Sequence, residues 1–372
     1  MSKSTRIRVE LGERGYDIHV GEGLLDKAGE IISAACRGRS AAVVTNRRIG
    51  DLYAPRLLKS LERAGIAGNV ITIPTGERFK TLGTVARIYE KLLDQRLDRG
   101  GMVIGLGGGV IGDIAGFAAA TYLRGVDFVQ IPTSLLAQVD ASVGGKTGVN
   151  LSRGKNLVGA FHQPKSVIVD VSVLRTLPAR ELRSGLAEVI KHGIIRDAGY
   201  FRSLEADLPA IRRLRPETLV PTIARSCEIK AEVVAEDERE SGLRRILNFG
   251  HTVAHSIESL TEYRTFRHGE AVAMGMVSAA IVSRNLGFAS ADDVSRIAEI
   301  LKASGLPCGI PADLGPREIV SAMGFDKKVA HGKLHVVLIR GIGSSFVADD
   351  VPPEAWIKAL EEQSRWSDTR LS

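Results

Sequence analysis

A chain of 372 residues is long enough for about two domains, and 44% hydrophobic content with 40 glycines and only 5% aromatic residues suits a globular α/β protein. Three widely spaced cysteines (Cys36, Cys227, Cys308) argue against a disulfide framework or a thiolate zinc site and fit a reducing cytoplasm, while neither a signal-peptide core nor a membrane-length apolar run is present. The net charge of +7 comes from basic residues scattered among 43 acids, with no basic tail and no aromatic–basic interleaving, so a plain basic protein is expected over a nucleic-acid binder, and a small anionic ligand would also suit this charge.

Taken in chain order, SAAVVTN (40–46) and GNVITIPTGE (68–77) read as buried strands ending in polar turns. Residues 82–97 have helical apolar spacing. GMVIGLGGG (101–109) is a strand running into a glycine turn, VIGDIAGFAAATYLRG (110–125) a helix, and VDFVQIPTS (126–134) and KSVIVD (165–170) further strands. This alternation predicts a mostly parallel sheet covered by helices, a Rossmann-like α/β domain over 1–178. Long amphipathic stretches then predict an all-α domain over 179–372, with few strand signals before KLHVVLI (333–339). No internal repeat is present, which excludes a solenoid.

Four segments carry chemistry. In GLGGGVIGD, Gly107, Gly109 and Gly112 fit GxGxxG at a strand-to-helix junction, where a pyrophosphate can approach the backbone. The match is weak alone, because two strands precede it and the acid twenty residues on, Asp127, heads a strand. A dinucleotide lying across strand ends would also meet Thr45, Asn46, Glu77 and Lys80. The second segment contains GGKT, but a Walker A loop needs glycine where Asp140 stands. An ATPase is therefore not expected, and the glycine loop offers Lys146, Lys155 and Asn156 to an anion, with Asp140 close by. In GLAEVIKHGII, Glu188 and Lys191 share a helix face. They form either an exposed pair worth at most about 0.5 kcal/mol or a buried carboxylate in need of a cation. Finally, three of the 8 histidines, His251, His255 and His268, fall in one short apolar stretch. His251 and His255 stand at i, i+4, though HTVAH lacks the glutamate of metalloproteases. Core histidines are the plain alternative. Three histidines with a buried carboxylate point instead to a His₂Glu metal site with an open position, and spacing leaves open which two histidines bind.

The segments GGGVIGDIAGFAAATYLRG, IPTSLLAQVDASVGGKTGVN, GLAEVIKHG, LNFGHTVAHSIE and RHGEAVAMGM together resemble the 3-dehydroquinate synthases, of the sugar phosphate cyclase family, in order and at family spacing from about residue 40 to 340. The resemblance implies an NAD-binding α/β domain, an α-helical metal domain and an active site in the cleft between them. It implies a lyase of the shikimate pathway, leading to aromatic amino acids. Such an enzyme converts 3-deoxy-D-arabino-heptulosonate 7-phosphate to 3-dehydroquinate and phosphate by transient oxidation, β-elimination, re-reduction and intramolecular aldol closure.

Carried over position by position, the resemblance makes Glu188, His251 and His268 ligands of Zn²⁺, or of Co²⁺, and leaves His255 near the leaving phosphate. Lys146, Asn156, His255 and Lys327 or Lys328 would surround that phosphate, and Lys230 and Arg244 would hold the carboxylate. Asp140, Lys155 and Lys191 would contact substrate hydroxyls or organise those groups. NAD would take Asn46, Glu77, Lys80, Gly108, Gly109, Asp113, Thr133, Ser134 and Thr176, with Thr45, Lys146 and Lys155 beside it. Arg124 would reach the neighbouring site of a homodimer. Ala141 and Ser134 depart from the usual serine and threonine. Another sugar phosphate cyclase would not need the carboxylate grip, and a metal-dependent polyol dehydrogenase would release NADH.

Overall fold

Strands covered on both faces must be apolar on both, and four segments of this chain are buried along nearly their whole length. The computed structural model, which describes residues 4–324 and 335–366, builds them into one seven-stranded sheet. Its strands are β1 (Thr5–Val9), β2 (Tyr16–Gly21), β3 (Ser40–Asn46), β4 (Ala67–Ile73), β5 (Met102–Gly107), β6 (Asp127–Pro132) and, after a hairpin, β9 (Ser166–Asp170). The order is β1-β2-β9-β6-β5-β3-β4; only the β1–β2 pair is antiparallel. Alternate residues of β3, β5 and β6 enter two separate cores. Val43, Ile104 and Val129 meet α1 (Ala28–Ala35) and α2 (Arg47–Arg63). Val44, Val103 and Phe128 meet α3 (Leu82–Asp94) and α4 (Gly109–Thr121).

The segment read as a glycine loop instead forms a hairpin, β7 (Lys146–Leu151) with β8 (Gly154–Phe161). Its glycines serve close backbone approach: a Cβ on Gly159 would lie 2.1 Å from the Thr147 carbonyl oxygen. The helices that follow are α5 (Ala179–Arg196), α6 (Ala198–Arg212), α7 (Pro216–Glu236), α8 (His251–Leu260), α9 (His268–Asn285), α10 (Ala291–Ala303), α11 (Pro316–Ala322) and α12 (Pro353–Gln363). A two-stranded antiparallel ribbon, β10 (Val336–Ile339) and β11 (Ser345–Ala348), joins them.

Contacts divide the chain into two units, Met1–Leu177 with Pro216–Ala235, and Pro178–Arg215 with Glu236–Ser372. The sequence places α7 after its boundary at 178, whereas its contacts put it with the sheet. Lys230 of α7 binds Asp140, and the Cys227 thiol donates to the Gln138 carbonyl at 3.3 Å. No shift in composition marks that excursion. Among the described residues, no helix is long and apolar enough to cross a membrane.

Candidate active site

In the first unit, the chain leaves β3 for β4 on one side and returns to β5 on the other. Parallel sheets bind ligands beyond the strand ends at such a reversal. Here those ends are Thr45 and Asn46 of β3 and Gly107 of β5, which runs through Gly108 into α4. The helix starts there with no side-chain cap, so its first N–H groups face the reversal, where negative charge is favoured. Gly112 has another task. Its Cβ would stand 2.6 Å from Gln130 Oε1, so glycine lets α4 lie close on β6. Thr133 extends the same edge, donating its N–H to the Gly107 carbonyl at 2.9 Å, and Ser134 Oγ accepts from Ala137 N at 3.3 Å. Asn46 Oδ1 caps α2 by accepting from Ile49 N at 3.0 Å, and the Thr176 hydroxyl lies 2.5 Å from that of Tyr53.

Four predicted residues meet in one polar network. The buried Lys80 ammonium pairs with the Asp113 carboxylate and donates to Asn156 Oδ1 at 2.5 Å. Asn156 N donates to Asn150 Oδ1 and Asn150 Nδ2 to Glu77 Oε1, both at 2.8 Å. Asn150, which the sequence reading missed, thus ties Glu77 to Asn156. Burial pushes the Asp113 carboxyl up to about 6 against the downward pull of Lys80. A π-helical turn, Ala137–Ala141, presents Asp140, whose carboxylate and carbonyl both meet the Lys230 ammonium. Lys146 and Lys155 are exposed on the hairpin. Arg124 is exposed on a turn in which Leu123 (φ 50), Arg124 (φ 69) and Gly125 (φ 120) follow one another in left-handed backbone. For the two side-chain-bearing residues, that costs of order 1–3 kcal/mol each.

In the second unit, α5 carries Arg180, Ser184 and Glu188 at successive i, i+4 positions, one face of a helix. Arg180 grips Glu270 through two bonds of 2.7 Å, and Ser184 Oγ accepts from Gly269 N at 3.0 Å. The start of α9, and with it His268, is thereby held to α5. Gly250, just before α8, has φ 80, and a Cβ there would meet Met276 N of α9 at 2.7 Å. Only glycine satisfies both demands, and His251 is the next residue.

These constraints bring Glu188, His251 and His268 together, with one donor atom of each within 4.8 Å of the others. Both imidazole Nε2 atoms lie 3.8 Å from Glu188 Oε1. Glu188 is fully buried; Lys191 pairs with Oε2, while Oε1 has no hydrogen-bond partner among the described residues. A buried carboxylate oxygen left so is costly unless a cation meets it. His251 Nδ1 faces the Phe249 carbonyl at 3.2 Å, which turns Nε2 toward Glu188. Burial first, then Lys191 and the other two histidines, hold His251 well below the usual histidine value, in the neutral form that ligates. The donor set therefore fits a zinc-like ion.

His255 is exposed, with its ring 5.5 Å from His251 and 6.5 Å from His268, and it does not belong to that donor group. The Arg244 guanidinium is buried and donates to the Glu238 carbonyl at 2.5 Å. Its loop is folded around Asp237, which accepts from Ser241 N, Gly242 N and Arg244 N. Lys327 and Lys328 lie outside the described residues.

Residues 70–184 match the family described as 3-dehydroquinate synthase N-terminal, and residues 185–329 its C-terminal counterpart. A 3-dehydroquinate synthase from Desulforamulus reducens is 51% identical over 96% of this chain and 99% of its own. Among solved structures, 2-epi-5-epi-valiolone synthase from Streptomyces hygroscopicus subsp. jinggangensis 5008, with NAD⁺ and Zn²⁺ bound, has TM-score 0.85 and 29% identity. That likeness covers 94% of this chain and 96% of the other. A 2-deoxy-scyllo-inosose synthase with carbaglucose-6-phosphate, NAD⁺ and Co²⁺ has TM-score 0.85 and 26% identity, covering 96% of this chain and all of the other.

Proposed function

This chain belongs to the 3-dehydroquinate synthase family, and from that premise we infer that it converts 3-deoxy-D-arabino-heptulosonate 7-phosphate to 3-dehydroquinate and phosphate. The observation that carries the reading is the buried Glu188 with its bare Oε1 and two imidazole nitrogens turned toward it. Glu188, His251 and His268 would hold the metal, zinc or cobalt, and the first unit would hold NAD⁺ around the reversal between β3 and β5. When bound there, NAD⁺ would supply reversible hydride transfer and the metal Lewis-acid polarisation of a substrate hydroxyl.

The chain's own residues do the rest. Oxidation makes the proton beside the new ketone acidic, and phosphate then leaves from the β-carbon. Lys146, Asn156 and His255 receive that phosphate, with Lys327 or Lys328. Lys230 and Arg244 hold the carboxylate. Asp140, already paired with Lys230, organises that ammonium, while Lys155 and Lys191 meet the hydroxyls. Lys80, Asp113 and Glu77 order the cofactor end of the same unit.

A homodimer in which Arg124 serves the neighbouring site accords with Arg124's exposure on a strained turn. It also accords with the exposed Leu151, Leu157 and Phe161 of the nearby hairpin, apolar surface that a partner would cover. Three buried thiols without disulfides suit the cytoplasm. The rival cyclase reading is disfavoured because relatives near half identity are 3-dehydroquinate synthases, while the valiolone and inosose synthases stand at 29% and 26%. The test is phosphate release from the heptulosonate phosphate with catalytic NAD⁺. Phosphate should accumulate while NADH absorbance stays flat. A stoichiometric rise in NADH would make this a polyol dehydrogenase, and equal turnover of a hexose phosphate without a carboxylate would make it another cyclase.

A further inference from the structure

The start of α9 is fixed twice, by Arg180 on Glu270 and by Ser184 on Gly269, so the Cα of His268 has little freedom. Its ring has more, since the side chain is 30% exposed. Glu258 is one of the groups that meet it. Glu258 of α8 is buried at 5% exposure, and its Oε1 stands 3.5 Å from His268 Nδ1, while the opposite ring nitrogen stands 3.8 Å from Glu188 Oε1. The imidazole thus spans two buried carboxylates, one on each nitrogen. His251 differs, because its Nδ1 faces a neutral carbonyl, that of Phe249.

We propose that Glu258 is a positioning residue for the metal, holding the Nδ1–H of His268 so that Nε2 is turned toward Glu188 as a basic ligand atom. The proposal rests on the reading that Glu188, His251 and His268 bind the metal. A carboxylate on the remote N–H fixes the tautomer, sets the ring plane and strengthens the ligating lone pair. One rigid helix then has two duties: α8 supplies His251 as a ligand at its first turn and, seven residues on, the orienting group for the ligand from α9. Two successive i, i+3/i+4 steps bring positions 251 and 258 back to the same face.

The experiment compares wild type, His268→Ala, Glu258→Ala and Glu258→Gln as metal-free proteins. Zinc affinity is read by competition with a chromophoric chelator, and ligand geometry by the visible absorption of the Co²⁺ forms. Glu258→Ala should bind zinc about 10–100-fold more weakly and alter the cobalt bands. Glu258→Gln, whose amide oxygen still accepts the N–H, should recover part of that loss. Should the alanine variant fail to fold, the near-isosteric glutamine variant decides alone: weaker zinc with shifted cobalt bands supports the role. Wild-type zinc affinity and an unchanged cobalt spectrum in a folded Glu258 variant, even with lowered thermal stability, overturn it. His268→Ala keeps the two ideas separate. If it retains wild-type zinc affinity, the ligand set itself fails; if it loses zinc while the Glu258 variants do not, only the role of Glu258 falls.

Discussion

Gly250→Ala tests whether the contact between α8 and α9 places His251. The substitution meets two obstacles. At φ 80 an L-residue sits in left-handed backbone, a cost of about 1–2 kcal/mol. Its Cβ would also lie 2.7 Å from Met276 N and 2.9 Å from the Val272 carbonyl oxygen. These are backbone atoms of a buried helix that cannot swing away, and overpacking of this kind costs about 1–3 kcal/mol more. The expected loss of about 2–5 kcal/mol corresponds to roughly 4–20 °C in the unfolding midpoint for a unit of this size. Two further glycines separate the contributions. Gly287 has φ 79 with nothing within 4 Å of its Cβ, so Gly287→Ala should cost only the backbone part. Gly275 keeps helical backbone, yet its Cβ would lie 2.0 Å from the Gly250 carbonyl oxygen, so Gly275→Ala should cost only the contact part. Thermal unfolding gives the stabilities and elemental analysis the metal content, which should fall in the Gly250 and Gly275 variants alone. If Gly250→Ala matched Gly287→Ala in both measurements, the contact would not be what positions His251.

The Asp113 carboxyl, raised to about 6, binds its proton more tightly in the folded chain than in the unfolded one. It therefore contributes about 3 kcal/mol of stability below pH ~4 that is lost as pH rises through 6. In the cofactor-free protein, Asp113→Asn should flatten the slope of urea-unfolding free energy over that window, and an unchanged slope would refute the assignment. If, as proposed, Arg124 serves the neighbouring site of a homodimer, Arg124→Ala and Lys146→Ala chains should each be nearly inactive, and mixed dimers should regain one intact site in two. Verified heterodimers with no recovered activity would remove the in-trans role of Arg124.

The parallel sheet was legible because β3, β5, β6 and β9 are short apolar runs closed by glycine or polar turns, and little else folds such runs together. β1 and β2 lack such apolar runs: TRIRV and YDIHVG place polar or charged residues on one face, and β1 is the sheet's antiparallel edge. The hairpin was hidden by its glycines, which look like a phosphate loop but let two backbones touch. At the candidate metal site, helical periodicity joins His251 to His255, and periodicity sees only one helix at a time. His268 comes from the next helix, through a clamp whose members, Arg180 and Glu270, lie ninety residues apart. Spacing leaves it one of three candidates, and only the resemblance chooses it over His255. The pairing of Lys80, in the loop before α3, with Asp113 of α4 leaves no local signal. Glu258 looks like any glutamate of an amphipathic helix until its burial is known.

The excursion of α7 into the first unit bears on how the chain is made. A ribosome delivers residues in order, so the turn bearing Asp140 emerges well before Lys230, its partner. Between them come α5 and α6, which belong to the other unit. The sheet can assemble early, but its unit stays unfinished until Ala235 is out, by which time the second unit has already begun. Expressed alone, residues 1–178 would lack the lysine that neutralises Asp140 and the helix that covers the π-turn. Neither unit is one uninterrupted stretch, so the maturation of each is interleaved with that of the other during synthesis.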